Sequence, residues 1–302
     1  MIAVPQRAKR VAQMPEPIID YRQPRAALAD HVSFFYHFRH DGAGFSAVNR
    51  AEFAQLRFIM AGENGQCRFV DGTVQAIPAI CVQGPTTGNT QISGSGRIDV
   101  IGLGLMPEGW AALVPMDASA AANRLFDAVD LLGPKVLTAR DALVAAPDFD
   151  ARVAVLEDLL EYLMAQRPSD SIGEFHGFVH KVNQWLADGA APQISDLLAR
   201  TGLSLAQVER RCKRYFGSPP KLLARKYRAL RTAIAITHGD AELDDILAEG
   251  YFDQSHLIRE MRHFTGMTPA AFAAQPTMFN MLIAKRIELE RSRPIERHSL
   301  IT

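Results

Sequence analysis

ISDLLARTGLSLAQVERRCKRYFG, residues 194–217, reads as two helices around a tight turn. Ile194 to Arg200 has a short helical pattern, Thr201-Gly202-Leu203 makes the turn, and Ser204 begins a second helix that runs to about Phe216. A serine suits that place because its hydroxyl accepts from one of the orphaned amides of the first turn. Helix, glycine-containing turn and capped helix form the helix-turn-helix arrangement, whose second helix enters the major groove of DNA. Within that helix Val208 and Cys212 face inward, while Gln207, Arg210, Arg211 and Arg214 lie on polar faces.

Local charge agrees. Between Ile194 and Arg231 stand ten basic residues (Arg200, Arg210, Arg211, Lys213, Arg214, Lys221, Arg225, Lys226, Arg228 and Arg231) and two acidic ones (Asp196 and Glu209), a net +8. The 302-residue chain as a whole is neutral, with 33 Lys and Arg against 33 Asp and Glu, so this is a local concentration of the kind phosphate binding requires. A solvated helix face or a salt-bridged domain contact would show the same charge density.

The pattern then repeats. Pro219 to about Thr237 reads as a long linker helix, Leu243 to Glu249 as a short helix, and GYFDQSHLIREMRHFTGMTP follows at residues 250–269. Residues 172–273 resemble the C-terminal domain of the AraC/XylS family, in which two helix-turn-helix units are joined by a linker helix. The first unit matches through Ser204, Val208, Arg210 and Gly217, the second through Gly250, Tyr251, Asp253, Gln254, Ser255, Leu257, Arg259, Gly266, Thr268 and Pro269. The chain carries Leu198 and Ile246 where the family usually has a small residue.

By this resemblance the groove-facing residues are Ala206, Gln207, Glu209 and Arg210 in the first unit, and Gln254, Ser255, His256 and Arg259 in the second. Lys213 and Arg214 extend the basic face of the first. Arg suits guanine, Gln adenine and Glu cytosine, although either arginine could equally take a phosphate. Asp253 reads as an N-cap, and Tyr251, Leu257, Met261 and Phe264 as core. From Asp240 to Ala273 seven acidic residues face two basic ones, a net −5. The first unit is therefore expected to anchor phosphates, and the second to discriminate sequence or to face a protein such as RNA polymerase.

The front half has a different texture. Short apolar runs separated by turns (VSFFYHF, LRFIMAG, CRFVDGTV, AIPAICV and RIDVIGLGL) predict an antiparallel barrel or sandwich, with a hairpin at Asp71-Gly72. Residues 111–132 read as helical pieces, and Val153, Leu156, Leu159, Leu160, Leu163 and Met164 as one strong helix. That apolar stripe could pair with its twin in a homodimer or pack on its own domain. The stretch VQGPTTGNTQISGSGRIDVIGLGLMPEGWAALV, from Val82, loosely resembles AraC-type sensor domains, which implies a small-molecule effector or a dimerisation role. Phe34, Phe35, Tyr36, Phe38, Phe58 and Phe69 suit a pocket wall or a core.

The expected fold is α+β: a β-rich barrel or sandwich sensor domain, then an all-α domain of two helix-turn-helix units joined by a linker helix. The expected boundaries are a flexible arm at 1–18, a β-rich domain at 19–135, a helical connector at 136–170, the DNA-binding domain at 171–275 and a tail at 276–302, which could hold one more helix at 279–293. Double-stranded DNA is the expected partner.

Other functions find less support. Cys67, Cys81 and Cys212 are widely spaced and form no disulfide or zinc pattern, and no apolar run is long enough to cross a membrane, which suits a cytoplasmic protein. No cofactor is expected. His31, His37 and His40 lie close in sequence without an evident carboxylate, and His176 and His180 share a helix face without a third ligand, so a metal-binding barrel is a weaker reading. An enzyme is weaker still, because no nucleophile stands beside a base and Gly102 and Gly104 lack the third glycine of a dinucleotide loop. A ligand-independent DNA-binding protein remains the other alternative.

Overall fold

A computed structural model describes residues 17–166, 172–188, 191–238, 247 and 250–274. All but two residues of the expected arm, most of the short helix at 243–249, Ile246 and the tail lie outside these residues.

The front half is one antiparallel eight-stranded sheet. Its strands are β1 (Ile18–Arg22), β2 (Val32–His40), β3 (Gly44–Asn49), β4 (Ala54–Phe69), β5 (Val74–Ala76), β6 (Ile80–Gln83), β7 (Thr90–Leu105) and β8 (Leu125–Asp127). The order is β1-β2-β7-β4-β6-β8, with β3 also on β7 and β5 also on β4. Two runs that read as separate strands, LRFIMAG and CRFV, are one 16-residue strand, β4, whose register on β7 shifts between Ile59 and Gln66. Such shifts bend a strand without ending it. Asp71 and Gly72 do turn the β4–β5 hairpin: Gly72 has φ +86°, and the Asp71 side chain accepts from the Thr73 amide.

Alternation along the strands gives the sheet two working faces. Phe35, Leu56, Phe58, Ile101 and Leu103 pack under the helices, while Tyr36, Gln55, Arg57, Ile98 and Val100 line a cavity on the other face. The covering helices are α1 (Pro107–Leu113), α2 (Ala128–Leu132), α3 (Lys135–Ala145) and α4 (Phe149–Ala165). The α4 stripe is spent here: Leu156, Leu159, Leu160 and Leu163 belong to the same core as Phe35 and Trp110. Residues 111–132, expected to be helical, also contain β8, whose Leu125–Asp127 segment pairs with β6. A three-residue strand is too short to show alternation, so its partner alone defines it.

The back half is helical, with α5 (Ile172–Ala187), α6 (Ile194–Thr201), α7 (Leu205–Phe216), α8 (Pro220–His238), α9 (Gln254–Thr265) and α10 (Pro269–Ala274). A second core gathers Phe175, Val182, Trp185, Leu197, Val208, Cys212, Phe216 and Leu223. Leu198 packs against that core from its edge. A third core joins Ala233 of α8 to Tyr251, Leu257 and Met261. Among the described residues no helix is long and apolar enough to cross a membrane.

Helices α7 and α9 each end on a glycine at φ +77°, Gly217 and Gly266. Both sit against the β domain, where a Cβ would strike Pro85 and Val48 respectively. Gly266→Ala therefore carries two penalties, a backbone cost of about 1–2 kcal/mol for the left-handed conformation and the clash with Val48. Gly72→Ala carries the first penalty only, since nothing lies within 4 Å of its would-be Cβ. Thermal unfolding should show the larger loss for Gly266→Ala; equal losses would mean that the contact with Val48 yields freely.

Candidate nucleic-acid interface

In the first unit Gly202 closes α6 in the left-handed conformation, its N–H donating to Leu198 O. Ser204 then opens α7 with a full capping box: its hydroxyl accepts from the Gln207 amide, and the Gln207 side chain accepts from the Ser204 amide at 2.9 Å. Val208, Cys212 and Phe216 bury one face of α7. Ala206, Gln207, Arg210, Lys213 and Arg214 are exposed on the other side, and Glu209 is half-buried.

In the second unit the Asp253 carboxylate caps α9, accepting from the His256 amide at 2.6 Å. Tyr251, Leu257, Met261 and Phe264 are buried, as their spacing implied. Gln254, Ser255 and Arg259 are exposed. His256 is half-buried, and both of its ring nitrogens are engaged. Nδ1 accepts from the Phe252 amide at 3.2 Å, which leaves Nε2–H to donate to Glu260 Oε1 at 3.2 Å. Gln207 and His256 thus already serve the helix starts they sit on.

Ion pairs redraw the charge map. Glu260, only 2% exposed, receives Arg225 at 2.7 Å and Arg228 at 2.7 Å, both from the linker helix α8. Burial would raise the Glu260 pKa, but these two hydrogen bonds and charges outweigh it and hold the carboxyl below its ordinary value. Arg200 pairs with Asp188, Arg214 with Asp117, and Arg231 donates to Leu186 O. Among the described residues Arg210 and Lys213 of the first unit, Lys221 of the linker helix, and Arg259 and Arg262 of the second unit have no such partner. The windows of +8 and −5 cut through a network that joins the two units, so the contrast in charge available to DNA is much smaller than those totals.

The C-terminal ends of α7 and α9 both rest on the β domain. Ala118 N–H and Ser119 N–H donate to Arg214 O and Lys213 O at the end of α7. Asn89 N–H donates to His263 O, the Asn89 amide side chain to Arg262 O and His263 O, and Ala51 N–H to Phe264 O at the end of α9. A helix leaves its last carbonyls without partners, and here loops of the other domain supply the donors. With 1.5 Å of rise per residue, the 12-residue helices carry their N-terminal ends about 18 Å from these contacts.

Between them lies Lys226 of α8, buried, with Nζ donating to Glu52 O at 2.7 Å and to Thr86 O at 3.4 Å. The Glu52 side chain faces the cavity of the β domain, which is about 370 Å³ and walled largely by Ile, Phe and Tyr side chains. Its polar end is a closed network. Arg57 donates to Tyr36 Oη at 3.0 Å, Gln55 Oε1 at 2.9 Å and Gln83 Oε1 at 2.9 Å, and stands 3.9 Å from the Glu52 carboxylate, to which Gln55 also donates. Of the six aromatic residues considered for a pocket, Phe34, Tyr36 and Phe38 line it; Phe35 and Phe58 are in the helix-covered core and Phe69 is in a smaller one.

The histidines and cysteines also find places. His37, which seemed to lack a carboxylate, lies 2.9 Å from Asp99, 62 residues away in sequence. His176 and His180 are exposed, and His180 contacts Gln184. Cys67 and Cys81 do have a basic neighbour in Arg57, but burial dominates and pushes both thiols up to about 11; Cys212 is pushed to about 12.

Burial, aided by the charge of Arg50 and opposed by Glu52, lowers Lys226 to about 7. The unfolded chain keeps this proton up to the ordinary lysine range, so between those values it binds more protons than the folded chain and stability rises with pH. Urea unfolding midpoints should therefore rise between about pH 7 and 8.5 relative to those of Lys226→Met. Parallel pH profiles for the two proteins would contradict it.

Residues 197–275 match the family model described as "Helix-turn-helix domain". No curated protein matches the chain. Among solved structures, ToxT from Vibrio cholerae is similar with a TM-score of 0.48 at 8% identity, over 85% of this chain and 97% of that one. ToxT bound to (E)-4-(8-methylnaphthalen-1-yl)but-3-enoic acid gives 0.47 at 7%, over 85% and 97%. The AraC-like transcriptional activator CuxR gives 0.30 at 12%, over 77% and 91%.

Proposed function

We propose, from the match of residues 197–275 to a helix-turn-helix domain, that the chain is a sequence-specific DNA-binding transcription regulator of the AraC type, read out through α7 and α9. The observation that carries this reading is the shared posture of the two helices. Each is capped at its start by Ser204 or Asp253, held at its end by the β domain, and exposed along the face bearing Arg210 and Lys213 or Gln254, Ser255 and Arg259. Recognition helices contact bases chiefly through residues near their N-terminal ends. Ala206, Glu209 and Arg210 in the first unit and Gln254, Ser255 and Arg259 in the second are the base-reading candidates; Lys213 and Arg214 suit phosphates. Gln207 and His256 combine reading with support of the helix start. The domain boundaries we favour run from the sheet and its four covering helices, 18–165, to the helical DNA-binding part from α5 onward, with a location in the cytoplasm.

Selection from random DNA by the purified full-length chain should yield a site with two contacted segments about one helical turn apart. Lys213→Ala should lower affinity alike on all sequences and reduce the salt slope by about 1, whereas Arg210→Ala and Arg259→Ala should each relax preference at one position. Enrichment of no sequence at low salt would reject the reading.

A second element of the proposal is control by a small, mostly apolar effector in the β-domain cavity. It is supported by the size of the cavity, its aromatic walls and the polar network around Arg57. Glu52 borders the cavity with its side chain and takes Lys226 with its carbonyl, so a ligand that disturbs that segment bears on the linker helix. A thermal-shift screen of apolar metabolites should find compounds that stabilise the protein and that lose their effect in Ile98→Trp, which fills the cavity. Hits that stabilise both proteins equally would place the ligand elsewhere. The α4 stripe is used within the chain, so a homodimer, like a contact with RNA polymerase, would need another surface.

A further inference from the structure

We propose that Phe252 is a sequence-reading residue that packs its ring against the C5-methyl group of a thymine in the second contacted segment of the operator. The proposal rests on the DNA-binding reading above and adds a residue that the resemblance does not assign.

Phe252 is 91% exposed. Single exposed apolar side chains are ordinary on protein surfaces, so exposure alone says little. Position says more. In the helical part from α5 onward, the large apolar side chains exposed among the described residues are Leu205 and Phe252 alone. Leu205 is the first residue of α7, directly after its cap Ser204, and Phe252 directly precedes Asp253, the cap of α9. Both stand at the ends of the recognition helices that face away from the β domain.

Among the described residues no packing contact accounts for the Phe252 ring. A residue just before an N-cap commonly packs back onto the first turn as a hydrophobic staple, and at 91% exposure this ring does not. Its backbone, by contrast, is held: the Phe252 amide donates to His256 Nδ1, and the neighbouring Asp253 carboxylate accepts from the His256 amide. The ring is therefore carried on a fixed loop beside the exposed Gln254 and Ser255. In the major groove the one apolar feature of the base edges is the thymine methyl, and an apolar side chain is its natural contact.

The test uses the full-length chain and the operator obtained by selection, with thymines of the second segment replaced singly by deoxyuridine, which lacks only the methyl. At one position the substitution should weaken binding of the wild-type chain roughly fourfold, the worth of about one buried methyl group. Phe252→Ala should bind the unmodified operator about as weakly as that, respond no further to deoxyuridine at the position, and keep the wild-type unfolding midpoint, because the side chain it loses is 91% exposed. Phe252→Leu should recover part of the discrimination. Three results would overturn the inference: no position at which deoxyuridine matters, Phe252→Ala that remains as sensitive to deoxyuridine as the wild type, or Phe252→Ala with unchanged DNA affinity but reduced transcription by RNA polymerase, which would assign the ring to a protein contact. Failure to select any operator removes the underlying reading as well, whereas an operator insensitive to deoxyuridine removes the Phe252 contact alone.

Discussion

Helices α7 and α9 both end on hydrogen bonds from the β domain, and the rest of the arrangement follows from that constraint. The last carbonyls of a helix need donors, and the main-chain amides of Ala118, Ser119, Asn89 and Ala51 provide them to α7 and α9. Glycine at 217 and 266 lets the two domains approach closely enough for these bonds to form. The front domain thereby fixes the directions in which the two helices project.

The linker helix α8 connects this frame to the interior. Arg225 and Arg228 reach across to the buried Glu260 of α9, and Lys226, on the same helix, reaches the main chain around Glu52 and Thr86. A buried ion pair is a poor guide to stability but a good one to geometry, because moving one partner strands the other. The same logic applies to Lys226, whose burial lowers its proton affinity while its hydrogen bonds tie it to two carbonyls. The linker helix thus touches the second reading unit and the wall of the cavity at once.

The two faces of the sheet explain why the cavity sits where it does. In β2, β4 and β7 one set of alternate residues is buried under helices and the other set is turned to the cavity, so aromatic residues adjacent in sequence, such as Phe34 and Phe35, have different surroundings. Their composition says that both positions are apolar. Only the register of β2 on β7, with its shift between Val32 and Phe35, assigns each to its side.

Much about the reading helices was legible in the sequence, because capping, turning and face periodicity are local properties. The Ser204 box, the Gly202 turn, the Asp253 cap and the inward face of Val208 and Cys212 all involve groups within a few residues of one another, and the match to a helix-turn-helix domain covers the same stretch. Net charge over a window was a poorer guide. It counts Arg225 and Glu260 with different units, although they form one ion pair across 35 residues. The length of β4, the strand at Leu125–Asp127, the partner of His37, the role of Lys226 and the exposure of Phe252 likewise depend on chain segments that meet only on folding. The sequence by itself determined where the helices of the helix-turn-helix segments begin and end, because each start and stop is encoded where it occurs. Tertiary structure alone decided which of their charges remain unpaired and which surface holds them, because those follow from long-range pairing that no local pattern records.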